Sequence, residues 1–308
     1  MTAVRRYEGT VYDSNRWDGF ELRPGDIVIA PPPKCGTTWT QMICALLVLQ
    51  QPELPLPLDR LSPWIDMVTR ARTEVFADLQ AQTHRRFLKT HTPLDGIPQD
   101  PTVTYICVGR DPRDVALSID HHIDNMDIGA FLDAREQAAA IDRIELGPLR
   151  RQPPRPDGER DRFWQWVDDE TPSTQIGSSL RRTVEHLQTF RDAGDDLDIV
   201  YLHYDGLQAD LEGQMRHLAA RLGIDVDAYR WPRLVQSATF ESMRARADTI
   251  IPGGDPQQWI DPAAFFRRGT SGQWRDLLDE ADIAQYAARV RALASDDLVD
   301  WVHSEAID

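Results

Sequence analysis

Asp26-Ile27-Val28-Ile29-Ala30-Pro31-Pro32-Pro33-Lys34-Cys35-Gly36-Thr37-Thr38-Trp39 is the stretch that decides how this chain is read. An apolar run, Ile27 to Ala30, enters a turn closed by Gly36 and two hydroxyl residues. An unbroken apolar segment, Trp39 to Leu49, follows. That order spells buried strand, phosphate-cradling turn, helix. Exposed N–H groups at a helix start make an anion site, and a glycine there lets the ligand approach the backbone. Aligned on a Walker A loop, Gly36 and Thr38 take the places of the second Gly and the Ser/Thr. Pro31 replaces the first Gly, Thr37 stands where the Lys belongs, and the lysine has moved to Lys34. The turn can hold phosphate, but it is not built for ordinary Mg-ATP hydrolysis.

Working outward, short apolar runs predict strands at Asp26–Ala30, Arg86–Lys89, Val103–Val108 and Asp198–His203. Periodicity predicts helices at Thr37–Gln50, Pro112–His121, Ser178–Asp192, Leu207–Leu222 and Ala281–Ala294, with Gly223 as a C-terminal stop. Strand–helix alternation implies an α/β, P-loop-like three-layer fold, a central mostly parallel sheet flanked by helices on both faces. Ligands of such sheets bind beyond the carboxyl ends of the strands. With no internal repeat and no Gly/Ser linker, residues 1–308 are expected to form a single domain. Residues 145–160 interrupt the alternation with Pro148, Pro153, Pro154 and Pro156 among Arg150, Arg151, Arg155 and Arg160. They read as a loop, either a disordered insertion or a lid.

The net charge of −16, from 50 acidic and 34 basic residues, argues against nucleic acid or an anionic membrane as partner. The longest apolar run, Ile43 to Leu49, is too short to cross a bilayer, and no apolar segment of a signal peptide is apparent. Cys35, Cys44 and Cys107 show no paired spacing, so reduced thiols and a cytoplasmic location are expected.

Four further segments complete the phosphate turn. Lys89-Thr90-His91-Thr92-Pro93 follows the second strand, and Gly109-Arg110 through Ser118 follows the third. Tyr204-Asp205 follows the fourth, and Phe265-Phe266-Arg267-Arg268-Gly269 through Trp274 lies near the C-terminus. At these residues the sequence resembles the cytosolic-type sulfotransferases, which use 3′-phosphoadenosine-5′-phosphosulfate (PAPS). The resemblance runs from Arg23-Pro24-Gly25-Asp26 through Trp274, and its signatures, Pro-Lys-x-Gly-Thr-Thr-Trp and Arg-Arg-Gly-x-x-Gly-x-Trp, are specific when taken together.

The resemblance implies a role for each matching residue. Lys34, Gly36, Thr37 and Thr38 look like the 5′-phosphosulfate loop, with Cys35 contributing its backbone where the family usually has Ser. Trp39 resembles the adenine-stacking aromatic and Tyr204 its polar partner on the adenine side. Arg110 and Ser118 match the pair that grips the 3′-phosphate, and Arg267, Arg268 and Gly269 match the second clamp on it. His91 resembles the catalytic base. Lys89 is two residues away, where strand geometry points both side chains the same way, and suits the sulfuryl oxygens in transit. No metal ligand set is needed and none is visible.

Besides Cys35, the sequence departs from the family pattern in its long interval from Ser118 to Tyr204 and at two motifs. The family's Thr-Ser-Phe reads Ala238-Thr239-Phe240, which puts one nucleotide contact in doubt and keeps Phe240. The family's dimer motif is absent after Trp274, so a conventional family dimer is not expected and the oligomeric state is not legible.

Plainer readings compete at every position. Isolated histidines are structural by default, and His84, His121, His122, His186, His203, His217 and His303 are left so. Arg110 could pair with Asp111 or Asp114 on the surface, and Tyr204 and Phe240 could be core aromatics. For the acceptor pocket the candidates are Trp64, Ile65 and Met67, and Trp164 and Trp166 after the Arg/Pro loop. They motivate an apolar hydroxyl acceptor such as a phenol, an alcohol or a glycolipid.

The function expected is sulfuryl transfer from PAPS to a hydroxyl, giving a sulfate ester and adenosine 3′,5′-bisphosphate (PAP), with His91 as general base. The alternatives are a P-loop-type phosphotransferase and a non-catalytic nucleotide-binding protein.

Overall fold

A computed structural model describes residues 4–147, 149, 153–251 and 256–303. Its sheet is built from β1 (Ile27–Ile29), β2 (Phe87–Lys89), β3 (Thr104–Gly109) and β4 (Asp198–His203), in the order β2-β1-β3-β4. Every pairing is parallel, with Ile29 opposite Lys89 and Ile106, and Gly109 opposite His203. The four carboxyl ends therefore share one edge. From β1 the chain runs to β2 on one side and then to β3 on the other, so a topological switch point lies beside the phosphate turn.

The strands are apolar on both faces because both faces are covered. Val28, Leu88, Tyr105 and Cys107 point into one core, and Ile27, Ile29, Phe87, Ile106 and Val108 into the other. The second core is closed by α1 (Thr37–Leu49), through Met42, Ile43, Leu46 and Leu47. The first is closed by α2 (Pro112–Asp124), α3 (Leu180–Arg191) and α4 (Glu280–Arg291), through Val115, Leu187 and Val290 among others. This is the three-layer α/β architecture expected from the sequence. At its far edge Arg86 grips the buried Asp26 carboxylate with two donors, Nε at 2.8 Å, locking β2 to the residue that enters β1.

The predicted helix Leu207–Leu222 is broken. Tyr204–Ala209 forms one short helix, and Asp210 turns the chain and caps Leu211–Arg221 by accepting from the Gly213 amide at 2.8 Å. A short acid that can satisfy a helix-start amide wins over continued periodicity. Gly223 does follow the second helix in the left-handed region, at φ +63°.

The described part of the Arg/Pro stretch is a loop up to Gly158 and enters a helix in its last two residues. Pro148, Arg150 and Arg151 lie outside the described residues, whereas Gly158 begins a helix, Glu159–Val167, inside the expected loop. Arg155 pairs with Asp120 (2.5 Å) and Asp124, and Arg162 pairs with Asp120 at 2.9 Å, so this part is pinned to α2. Among the described residues no helix is long and apolar enough to cross a membrane.

Candidate active site

The phosphate turn leaves β1 through Pro31 and Pro32, and its geometry depends on two left-handed residues, Lys34 at φ +66° and Gly36 at φ +89°. For a lysine this conformation is costly. It is held from outside: Arg110 donates to the Lys34 carbonyl at 2.9 Å. Gly36 sits against Tyr204, where an added Cβ would lie 3.1 Å from the ring. Gly36 gives α1 no side-chain cap, so the helix start is open to an anion.

Arg110, at the end of β3, is the hinge of the site. Its second nitrogen reaches the Thr270 carbonyl at 3.4 Å, and its guanidinium lies 4.2 Å over the Tyr204 ring. The rival carboxylates are engaged elsewhere. Asp111 holds Arg113 at 2.7 Å, and Asp114 accepts the amides of Gly272 and Gln273 at 2.7 and 2.9 Å. That second set of bonds brings the Arg267–Gly269 segment to the sheet edge. Gly269, at φ +65°, is pressed so closely to Phe240 that a Cβ would overlap the ring.

His91 is brought in by β2. Its Nδ1 lies 2.8 Å from the Pro31 carbonyl, which can only accept. Nδ1 therefore carries the proton, and the lone pair of Nε2 is the free one. Burial, then Lys89, pushes its pKa well below the usual value, so the ring is neutral. Asp66, fully buried, accepts from the hydroxyls of Thr90 and Thr92 and from Trp64 Nε1, fixing the loop on both sides of His91. The Lys89 ammonium stands 3.7 Å over the Trp64 ring, and burial lowers its pKa to about 7 despite Asp66. Lys34 is likewise lowered to about 7, by burial and then by Arg110.

Lys34, Lys89, His91 and Arg110 meet in one cavity of about 520 Å³. Its wall includes every sequence-predicted site residue except Cys35: Lys34, Gly36, Thr37, Thr38, Trp39, Lys89, His91, Arg110, Ser118, Tyr204, Phe240, Arg267, Arg268 and Gly269. Cys35 turns its side chain into the core, and its amide bonds the Pro32 carbonyl at 3.4 Å. Two buried donors on the cavity side, Thr37 Oγ1 and Arg110 Nε, have no hydrogen-bond partner among the described residues. Of the acceptor candidates, Trp64, Met67 and Trp166 line the cavity. Ile65 belongs to the core, and Trp164 bonds Asp282 at 2.9 Å instead. Thr239 does not line the cavity; its hydroxyl caps the helix Phe240–Arg244, and the Ala238 carbonyl accepts from Trp39 Nε1 at 2.8 Å.

His122, read from sequence as structural, is the clearest omission. It lines the cavity with Nδ1 3.2 Å from Lys34 Nζ. One signal was available: on α2, His122 falls one turn beyond Ser118, on the same face. Asp66 gave none, since its role appears only when distant segments meet.

The sulfotransferase domain family matches residues 24–297. A glycolipid sulfotransferase of Mycobacterium bovis is 39% identical over 98% of this chain and 95% of its own length. Among solved structures, mouse sulfotransferase SULT7A1 complexed with PAP superposes with a TM-score of 0.66 at 18% identity, covering 94% of both chains. Retinol dehydratase in complex with androsterone and PAP gives 0.63 at 22% identity, covering 92% of this chain and 84% of that one. The two structures share the fold, while the match along nearly the whole sequence decides the lineage: the chain belongs to the sulfotransferase family.

Proposed function

We propose that this cavity binds PAPS and transfers its sulfuryl group to an acceptor hydroxyl, yielding a sulfate ester and PAP. The observation that carries this reading is a shared space. Lys34, Lys89, the arginine clamp and the free Nε2 of His91 all face one cavity. The residues fit the donor. An uncapped helix start and the unpartnered Thr37 hydroxyl suit its 5′ end, and the unpartnered Arg110 Nε suits an anion nearby. When bound, the donor supplies a sulfuryl group already activated on phosphate.

The chain's own groups divide the remaining work. Lys34, Gly36, Thr37 and Thr38 hold the phosphosulfate end, and Lys34 stabilises the charge that grows on the departing oxygen. Arg110, Ser118, Arg267, Arg268 and Gly269 hold the 3′-phosphate, while Trp39, Tyr204 and Phe240 enclose the adenine. His91 Nε2 takes the proton of the acceptor hydroxyl, and Lys89 balances charge on the sulfuryl oxygens.

For the acceptor, the cavity offers an apolar wall of Met67, Ile119, Met126, Phe131 and Trp166. Together with glycolipid-sulfotransferase relatives, this supports an amphiphile with a sugar hydroxyl and an apolar tail.

The test is turnover of sulfur-labelled PAPS with octyl glucoside, an amphiphile of this kind. Labelled sulfate ester is the expected product, and none from any hydroxyl acceptor would overturn the reading. A thermal-shift comparison addresses the phosphotransferase alternative. PAP should stabilise the protein more than ATP, because a second cationic clamp serves a 3′-phosphate that ATP lacks.

A further inference from the structure

The turn sets where the Lys34 side chain starts, and the groups it meets set where its ammonium ends. Its backbone is held left-handed, and its carbonyl is held by Arg110. The Cα–Cβ bond therefore leaves the turn in a set direction, and the flexible stem ends against α2. There Nζ lies 3.2 Å from His122 Nδ1 and 4.7 Å from the centre of the Phe265 ring. The imidazole is itself gripped edge-on by Trp259 at 4.9 Å and Phe265 at 5.8 Å, so it does not swing freely. Burial, then Lys34 and Lys89, drives its pKa well down, leaving Nδ1 able to accept from a cation.

An ammonium carries three N–H donors. One directed at an imidazole nitrogen leaves two for an anion, so contact with His122 and contact with the donor are compatible. We infer that His122 is a positioning residue for Lys34: its Nδ1 accepts one ammonium N–H, in the free and the loaded enzyme, and so aims the other two at the phosphosulfate. α2 then serves both ends of the cavity, through Ser118 and, one turn on, through His122. The inference rests on Lys34 meeting the donor as proposed above.

The experiment compares wild type, Lys34→Met, His122→Ala and His122→Asn in turnover with labelled PAPS and octyl glucoside, alongside the Kd for PAP. His122→Ala should lower kcat about 10-fold or more while the PAP Kd moves less than about 3-fold, the pattern of a lost transition-state contact. His122→Asn, whose amide oxygen can accept in place of Nδ1, should recover much of the loss. In ¹⁵N spectra, His122 Nδ1 should remain a hydrogen-bonded acceptor both free and saturated with PAP. Full turnover in His122→Ala, no gain from Asn over Ala, or an Nδ1 released on PAP binding would each overturn the inference. If Lys34→Met keeps full turnover, the reading of the donor site falls. If Lys34→Met fails and His122→Ala does not, only the role of His122 falls.

Discussion

Arg110 donates to the main-chain carbonyl of Lys34 at 2.9 Å, so the residue proposed for the 3′-phosphate also holds the turn proposed for the other end of the donor. The two halves of the site are mechanically one. Arg110→Met should therefore weaken PAP binding by about 10- to 100-fold, the range for losing a charged hydrogen-bond donor. It should also relax the strained turn. Arg110→Lys should rescue little, because one ammonium cannot reach the Lys34 and Thr270 carbonyls together. Isothermal titration with PAP checks both.

His91→Ala should cut kcat by about 10²-fold or more and leave the PAP Kd nearly unchanged. Because burial and Lys89 keep the ring neutral, the acid limb of the kcat–pH profile should fall well below pH 6.5. A limb at or above the ordinary histidine pKa would remove His91 as base.

Lys34 and Lys89 have pKa values lowered to about 7, and an entering anion favours their charged forms. PAP binding above pH 7 should therefore take up protons, and affinity should decline as pH rises from 7 towards 9. Titration calorimetry in buffers of different ionisation enthalpy measures the uptake directly.

Stability should fall on the acid side. His91 and His186 are buried, with pKa values held well below 6.5 in the folded state. Below pH 6.5 the unfolded chain binds more protons than the native one, so stability decreases as pH drops. Two such groups set a slope of up to about 3 kcal/mol per pH unit. Thermal melts at pH 7.5, 6.5 and 5.5 should show the loss, and a flat Tm would contradict it.

Asp120→Asn removes the carboxylate that Arg155 and Arg162 share. Since Arg155 and Arg162 line the cavity and make no bond to the turn among the described residues, KM for the acceptor should rise several-fold with the PAP Kd unchanged. Steady-state kinetics with octyl glucoside separates the two.

Much of this was legible in the sequence because its signals are local. The run Ile27–Ala30, the Gly36 turn and the strand-end positions of Arg110 and His91 follow from β-branching, glycine placement and periodicity. What was missed depends on contacts between distant segments. Asp66 gains its role only when it meets Thr90 and Thr92, and His122 only when α2 lies against the turn. The break at Asp210 was hidden because a capping acid and a surface acid look alike in a helical pattern. In the 145–160 stretch, proline and arginine content spells the loop that the described residues up to Gly158 form, but it is silent about Asp120 as a partner. Trp164 and Trp166 are two residues apart in sequence, yet the helix points them to different surroundings.

Cys35 occupies the middle of the turn between β1 and α1, with its thiol fully buried and its pKa raised to about 12. A thiol in that state does not react with alkylating reagents; only a thiolate that meets solvent does. Its alkylation rate therefore clocks how often the turn springs open, and PAP should slow that clock in proportion to occupancy. The protein thus carries an intrinsic stopwatch for loop opening, read by mass spectrometry without adding a probe.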